Sequence, residues 1–236
     1  MGTDTFPLYP VNLDIGGKRC LVVGGGLVAA RKIKALLLCG GIVQIISPEV
    51  CAEIEDLAAS GAIEWHARPF RPGDGDGAFL LFAATDDPHV QTCIAADAHR
   101  YRALLNSADD AVLSDFHVPA KIRRRDFVIA VSTSGGSPAL AALLKARLAE
   151  EYGDEYGVLV EMMARIRRLV VNADSVAEEN RALFTSILDE PVLECIKAGD
   201  WAGLKRILGR VLPSGLDAGG LVDELAADSE NVRTDC

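Results

Sequence analysis

The stretch "RCLVVGGGLVAARK", residues 19–32, constrains the fold more than any other part of the chain. Cys20-Leu21-Val22-Val23 is a short apolar run without alternation, the pattern of a strand buried on both faces of a parallel sheet. Leu27, Val28, Ala29, Ala30, Lys32, Ile33, Ala35, Leu36 and Leu37 form a helix after it, with apolar positions recurring every three or four residues. Three glycines join the two. Gly24-Gly25-Gly26-Leu27-Val28-Ala29 matches GxGxxA at the placement a dinucleotide fingerprint needs, directly after a strand and at a helix start. Gly24 permits the tight turn, Gly26 lets a pyrophosphate approach the backbone, and the small Ala29 lets the helix lie close to the sheet. The helix start supplies unpaired N–H groups and a partial positive charge. A plain strand-to-helix turn uses the same residue types, so the motif takes its meaning from the elements downstream of it.

Those elements alternate regularly. Residues 42–46 predict a second strand, 47–48 a helix start leading into a helix over 49–59, and 62–66 a short third strand. Residues 68–77, rich in Gly, Pro and Asp, form a loop. Residues 78–84 are the clearest buried strand, 85–88 open a helix that runs to about residue 100, and 103–106 give one more strand. The expected fold class is α/β, a Rossmann-like doubly wound parallel sheet. The predicted cofactor site comprises Gly24, Gly25, Gly26, Leu27 and Val28, with Ser47 and Pro48 after the second strand and Ala84 and Thr85 after the fourth. Many NAD-binding sheets end the second strand on Asp or Glu, which holds the adenosine ribose. Here Ile46 is followed by Ser47-Pro48, with Glu49 beyond, and no arginine stands there for a 2′-phosphate. NAD is the better match than NADP.

Charge narrows the partners. The chain has 236 residues and a formal net charge of −10, from 34 acidic and 24 basic residues, which disfavours nucleic acid. Lys121-Ile122-Arg123-Arg124-Arg125 is the exception, readable as a solvated turn before the next strand or as an anchor for an anionic ligand. The first ten residues lack a basic segment followed by an apolar stretch, and no apolar run approaches about 18 residues. A cytoplasmic protein with no membrane partner is expected. Cys20, Cys39, Cys51, Cys93, Cys195 and Cys236 are scattered, without CxxC pairs or nearby histidines, so no resident metal site is predicted.

After Asn106 the pattern changes to a polar acidic loop, a strand pair, and a second small-residue turn into a helix. Residues 127–131 are a strand, Ser132-Thr133-Ser134-Gly135-Gly136-Ser137 is the turn, and Ser137-Pro138 reads as an N-cap with proline at the first helical position. That turn reads either as a cradle for carboxylates or phosphates or as a capped turn alone. Beyond Glu151 the strands cease. Helices are expected over 158–171, 176–188, 192–198 and 201–212, then a partly disordered tail.

Taken in order, "VVGGGLVAARK", "AATDD", "NSADD", "FHVPA" and "AVSTSGGSPALA" resemble the precorrin-2 dehydrogenase family, the siroheme synthase N-terminal module, over about residues 7–152. The resemblance implies NAD-dependent oxidation of precorrin-2 to sirohydrochlorin, in some members with insertion of ferrous or cobaltous ion. It also implies a homodimer. The implied organisation is an NAD-binding domain at 1–112, a dimerisation and substrate region at 113–152, a helical domain at 153–212 and a tail at 213–236. Asp109 corresponds to the family's catalytic aspartate and is favoured as proton acceptor over its neighbour Asp110. Precorrin-2 carries eight carboxylates, so an acidic protein needs a local cationic or amide-rich surface to receive it. Asn106, Arg124 and the turn Ser132, Thr133, Ser134, Gly135, Gly136 and Ser137 are the candidates. Lys145 and Arg147 read as ordinary exposed cations, and His117, beside Phe116, as a packed residue rather than a metal ligand. Two other readings are a Rossmann module that senses NAD without chemistry and a sirohydrochlorin metallochelatase with a vestigial dinucleotide site.

Overall fold

The computed structural model describes residues 7–108, 112–170 and 177–234. The chain divides into two compact units between Val118 and Pro119.

The first unit is built on the alternation β1 (Arg19–Val23), α1 (Leu27–Leu38), β2 (Ile42–Ile46), α2 (Ala52–Ala59), β3 (Glu64–His66), β4 (Leu80–Ala83), α3 (Pro88–Tyr101) and β5 (Leu104–Ser107). Its sheet has the order β3-β2-β1-β4-β5 and is parallel throughout. Alternate residues feed two separate cores. Cys20, Val22, Val43, Ile45, Leu80 and Phe82 pack with Ala29, Ala30, Ile33 and Leu36 of α1 and Ile54 of α2. Leu21, Val23, Ile46, Leu81, Ala83 and Leu105 pack with Ile94 and Ala98 of α3. Helices thus cover both faces, which is why β1 shows no alternation: both of its faces are core. Each large aliphatic side chain buried here contributes roughly 1.5–3 kcal/mol.

The predicted strands and helices of this unit are present, with one shift. The helix expected from residue 49 begins at Ala52, because residues 47–51 are held against the glycine turn: the Cys51 amide donates to Gly25 O at 2.8 Å, and Ser47 Oγ donates to Glu49 O at 2.6 Å. The Gly/Asp-rich loop 68–77 is equally tied. Arg68 holds both Asp74 carboxylate oxygens at 2.7 Å, and the buried Asp97 accepts from the Gly73 and Gly75 amides. The Arg68 guanidinium keeps the Asp74 carboxyl below its ordinary pKa. Its contribution to stability is therefore present above the ordinary carboxylate range and lost as pH falls through the depressed value.

In the second unit, β6 (Ala120–Arg124) and β7 (Phe127–Val131) form an antiparallel hairpin, followed by α4 (Pro138–Glu151), α5 (Glu155–Val170), α6 (Ala177–Asp189), α7 (Val192–Ala198), α8 (Trp201–Val211) and α9 (Ala218–Thr234). Met162, Ile166, Ile187, Leu204, Leu208, Val222 and Leu225 are its fully buried centre. Phe127 stacks on Tyr152 and Tyr156, and α5 approaches the hairpin so closely that a β-carbon on Gly157 would lie 2.6 Å from Arg124 O.

Three expectations change here. The basic run is not a turn: Lys121 to Arg124 lie in β6, and Arg125, at φ +53°, begins the two-residue connection. Most of the stretch expected as a tail is helical. Its residues 218–234 form α9, whose Leu221, Val222 and Leu225 are buried, a stripe diluted in the sequence by Gly219-Gly220 and the acids around it. Nor is there a division at 152 or at 112, since the hairpin and all later helices share one unit and residues 113–118 belong to the first.

Candidate functional site

The glycine turn carries three different constraints. Gly24 sits at φ +118°, and a β-carbon there would lie 2.0 Å from Ala84 O. A β-carbon on Gly25 would lie 1.9 Å from Glu49 O. The β4–α3 and β2–α2 connections therefore press on the turn from two sides, and neither leaves room for a side chain. Gly26 is the opposite case: φ is −84° and nothing lies within 4 Å of a β-carbon built on it. That open space lies at the start of α1.

The start of α1 has no capping side chain and no acid in its first turn. Three other helices are capped by side chains: Asp87 accepts from His89 and Val90 amides in α3, Ser137 from Leu140 in α4, and Asp200 from Gly203 in α8. The amides at the start of α1 thus face open space at the carboxyl edge of the sheet, where doubly wound folds collect ligands. Leu27 and Val28 are exposed beside them, at 71% and 40%. A pyrophosphate fits this donor set.

The flanking residues predicted for the cofactor divide by role. Ser47 is buried, with Oγ spent on Glu49 O and its carbonyl accepting from Trp65 Nε1 at 3.0 Å, so its side chain shapes the loop; Pro48 and Glu49 are exposed. Ala84 donates its amide to Val23 O at 2.8 Å, and Thr85 O accepts from Gln91 Nε2 at 2.7 Å. Both are half-buried at the end of β4.

Asp109 and Asp110 lie outside the described residues; the chain on either side of them is bonded to the sheet. Ala108 N donates to Ala83 O at 2.9 Å. On the return, Ser114 Oγ accepts from Ser107 N at 2.9 Å, and Asp115 exchanges two bonds of 2.8 Å with the Leu105 backbone. Both roots of the acidic connection are therefore fixed at the carboxyl end of β5. Asn106 is 7% exposed, its Oδ1 accepts from Lys32 Nζ at 2.9 Å and its Nδ2 donates to Phe116 O at 2.9 Å, so its amide clamps this edge.

Lys32, Ser114, Asp115 and Phe116 are the residues that sequence reasoning missed. The available signal was a polar Asn106 closing an apolar strand and a lysine set beside the buried stripe of α1; each needs a partner inside.

In the second unit, the turn from Ser132 to Ser137 is largely self-contained. Ser134 N donates to Ser132 Oγ, Gly136 N to Thr133 O and Ser137 N to Thr133 Oγ1, with Ser134 and Gly135 at positive φ. Ser132, Ser134, Gly135 and Gly136 are exposed. Arg124, expected as an anion anchor, instead donates to Tyr152 O at 3.2 Å and Ala149 O at 3.1 Å and pairs with Asp154. It closes the carbonyl end of α4, where a cation is favoured. Arg125 is paired with Glu161. No group of three or more His, Cys, Asp or Glu side chains among the described residues is placed to hold a metal ion, and no helix among them is long and apolar enough to cross a membrane.

Known proteins share this arrangement. A family model described as NAD(P)-binding matches residues 11–120, and one described as sirohaem biosynthesis protein central matches residues 129–151. A siroheme synthase of Chromobacterium violaceum is 34% identical over 224 residues, covering 94% of this chain and 48% of the relative. One of Nitrosomonas eutropha is 36% identical over 192 residues, covering 81% and 40%. The chain thus spans less than half the length of these curated relatives. Among solved structures, SirC, precorrin-2 dehydrogenase, is similar with a TM-score of 0.67 and 28% identity, over 78% of this chain and 91% of that one. The first unit is a Rossmann-like NAD(P)-binding domain, and the chain belongs to the siroheme synthase N-terminal family, the family of the precorrin-2 dehydrogenases.

Proposed function

We propose that the chain oxidises precorrin-2 to sirohydrochlorin with NAD as hydride acceptor. The observation that carries the reading is the uncapped start of α1 at Gly26, at the same sheet edge where both roots of the acidic connection are pinned. NAD, when bound, supplies the site for the departing hydride. The protein's own part is to hold the pyrophosphate on the amides of Gly26, Leu27 and Val28 and to take the proton that leaves the macrocycle on the Asp109 carboxylate. NAD rather than NADP is favoured by a β2–α2 connection, Ser47-Pro48-Glu49, that offers an exposed acid and no cation. The exposed Ser132, Ser134, Gly135 and Gly136 of the 132–137 turn are the polar surface assigned to substrate carboxylates.

A homodimer belongs to the same reading. Of the 14 residues of α4 only Ala141 is buried, and Leu140 and Leu143 stand 46% and 49% exposed, an apolar face that a second copy would cover. Sedimentation at micromolar concentration tests this; a monomer refutes it. The cytoplasm is the compartment this reading assigns, supported by the free thiols Cys20, Cys39, Cys51, Cys93 and Cys195.

The decisive assay mixes purified protein, precorrin-2 and NAD and follows sirohydrochlorin and NADH spectroscopically, with ferrous or cobaltous ion added in parallel to read metal insertion. Asp109→Ala is expected to keep NAD binding and lower the dehydrogenase rate roughly a hundredfold or more, with Asp110→Ala much milder. Full activity in both variants excludes a protein base on this connection; no turnover by the wild type excludes the function.

A further inference from the structure

Lys32 is a half-buried ammonium on the sheet side of α1, beside the fully buried Ile33. Its Nζ donates to Asn106 Oδ1 at 2.9 Å and lies 5.3 Å from the centre of the Phe82 ring. Phe82 in turn meets Phe116 edge to face, with centroids 5.6 Å apart and planes at 87°. Partly desolvating a cation is costly, and an aliphatic side chain would cover Phe82 as well. What lysine adds is a donor.

The two ends of the Asn106 amide are nearly equal in shape and opposite in polarity. A lysine can only donate, so with Nζ on one side, Oδ1 is bound to face it and Nδ2 is left to face Phe116 O, which it reaches at 2.9 Å. Reversed, the amide would set oxygen against oxygen and release Phe116. Phe116 stands on the return of the connection that leaves β5 at Ala108, immediately after Ser114 and Asp115, the residues that bond the β5 backbone. One helix thus offers amides to the cofactor at its first turn and, little more than a turn later, fixes the root of the acidic connection.

We infer that Lys32 is a positioning residue: acting through the Asn106 amide, it holds the returning segment on β5 and so sets the geometry of the connection that carries the proton acceptor. The inference rests on the function proposed above. Three variants of the full chain test it. Lys32→Met keeps the stem and removes the donor, Lys32→Arg restores donors, and Asn106→Ala removes the amide. In Lys32→Met, hydrogen exchange at the amides of Leu105, Ser107 and Asp115 should quicken roughly tenfold or more, because all three bonds join β5 to the released segment. The kcat for precorrin-2 should fall roughly ten- to a hundredfold, while KM for NAD stays within about twofold. Lys32→Arg should recover much of both. The double variant Lys32→Met/Asn106→Ala should lose clearly less than the sum of the two single changes, since Lys32 and Asn106 share a bond.

A lower melting temperature with kcat unchanged would reduce Lys32 to ordinary packing and overturn the inference. So would additive losses in the double variant. If the wild type does not oxidise precorrin-2, the proposed function fails, and exchange in Lys32→Met then decides the role of Lys32: lost protection at the three amides upholds the hold on the segment, and unchanged protection refutes it.

Discussion

Two turns in this protein share one pattern, strand, small residues, helix, and are held by opposite means. In the turn at Gly24–Gly26, neighbouring backbone occupies the space where side chains would be, 2.0 Å away at Gly24 and 1.9 Å at Gly25. In the turn at Ser132–Ser137, nothing lies near a β-carbon on Gly135, and the shape is kept by hydroxyls of Ser132 and Thr133 that accept from the turn's own amides, with the Ser137 hydroxyl accepting from Leu140 N of α4. Glycine is required by crowding at Gly24 and Gly25, with a positive φ of +118° added at Gly24, and by backbone conformation alone, φ +84°, at Gly135. Crowding transmits a change to the whole sheet; a self-bonded turn absorbs it locally.

The largest expected effect tests the crowded turn. Gly25→Ala should destabilise the first unit by about 3 kcal/mol or more in urea unfolding, because its methyl group meets backbone that belongs to β2–α2 and cannot rotate away. A loss under about 1 kcal/mol would show that the two connections are not pressed together, and the comparison would fail. Next comes a change with opposite signs on affinity and stability. Gly26→Asp has open space and favourable backbone, and aspartate is a better N-cap than glycine, so the melting temperature should hold or rise slightly. The same carboxylate would stand at the pyrophosphate position proposed above, so NAD affinity measured by calorimetry should fall roughly a hundredfold or more. Unchanged affinity removes the dinucleotide from this turn. The smallest effects belong to the second turn: Gly135→Ala and Ser137→Ala should each cost about 1 kcal/mol, the first through positive φ and the second through a lost cap. Thermal unfolding resolves both, and a loss as large as that of Gly25→Ala in either would make the two turns alike.

Much of the first unit was legible because its signals are local. The apolar run 20–23, the glycines after it and Asp87-Pro88 before α3 each state a strand, a turn or a helix start within a few residues. Gly25 was less legible, since nothing in GxGxxA reveals that Glu49 O will lie against it. The structural roles of Asn106 and Arg124 were not legible for one reason. A polar side chain at the end of a strand can face a ligand or a distant part of its own chain, and the partners here, Lys32 at 74 residues' separation and Ala149 at 25, are set only by the fold. The helix α9 was hidden because its buried residues are few and lie among acids and glycines; their burial depends on α5 and α8, not on their own periodicity.

The bonds from Ser114 and Asp115 to β5 also bear on how the protein is made. An open sheet edge is a template for a strand from another molecule, and a chain emerging from the ribosome exposes such edges while it waits for its remainder. Here the cover for β5 is the segment that comes next in synthesis, and at the other edge β3 is only three residues long. The first unit therefore has every residue its sheet requires once Val118 has emerged, before the hairpin and helices of the second unit are complete. A nascent chain paused at that point presents a finished sheet whose β5 edge is covered and whose β3 edge is only three residues long.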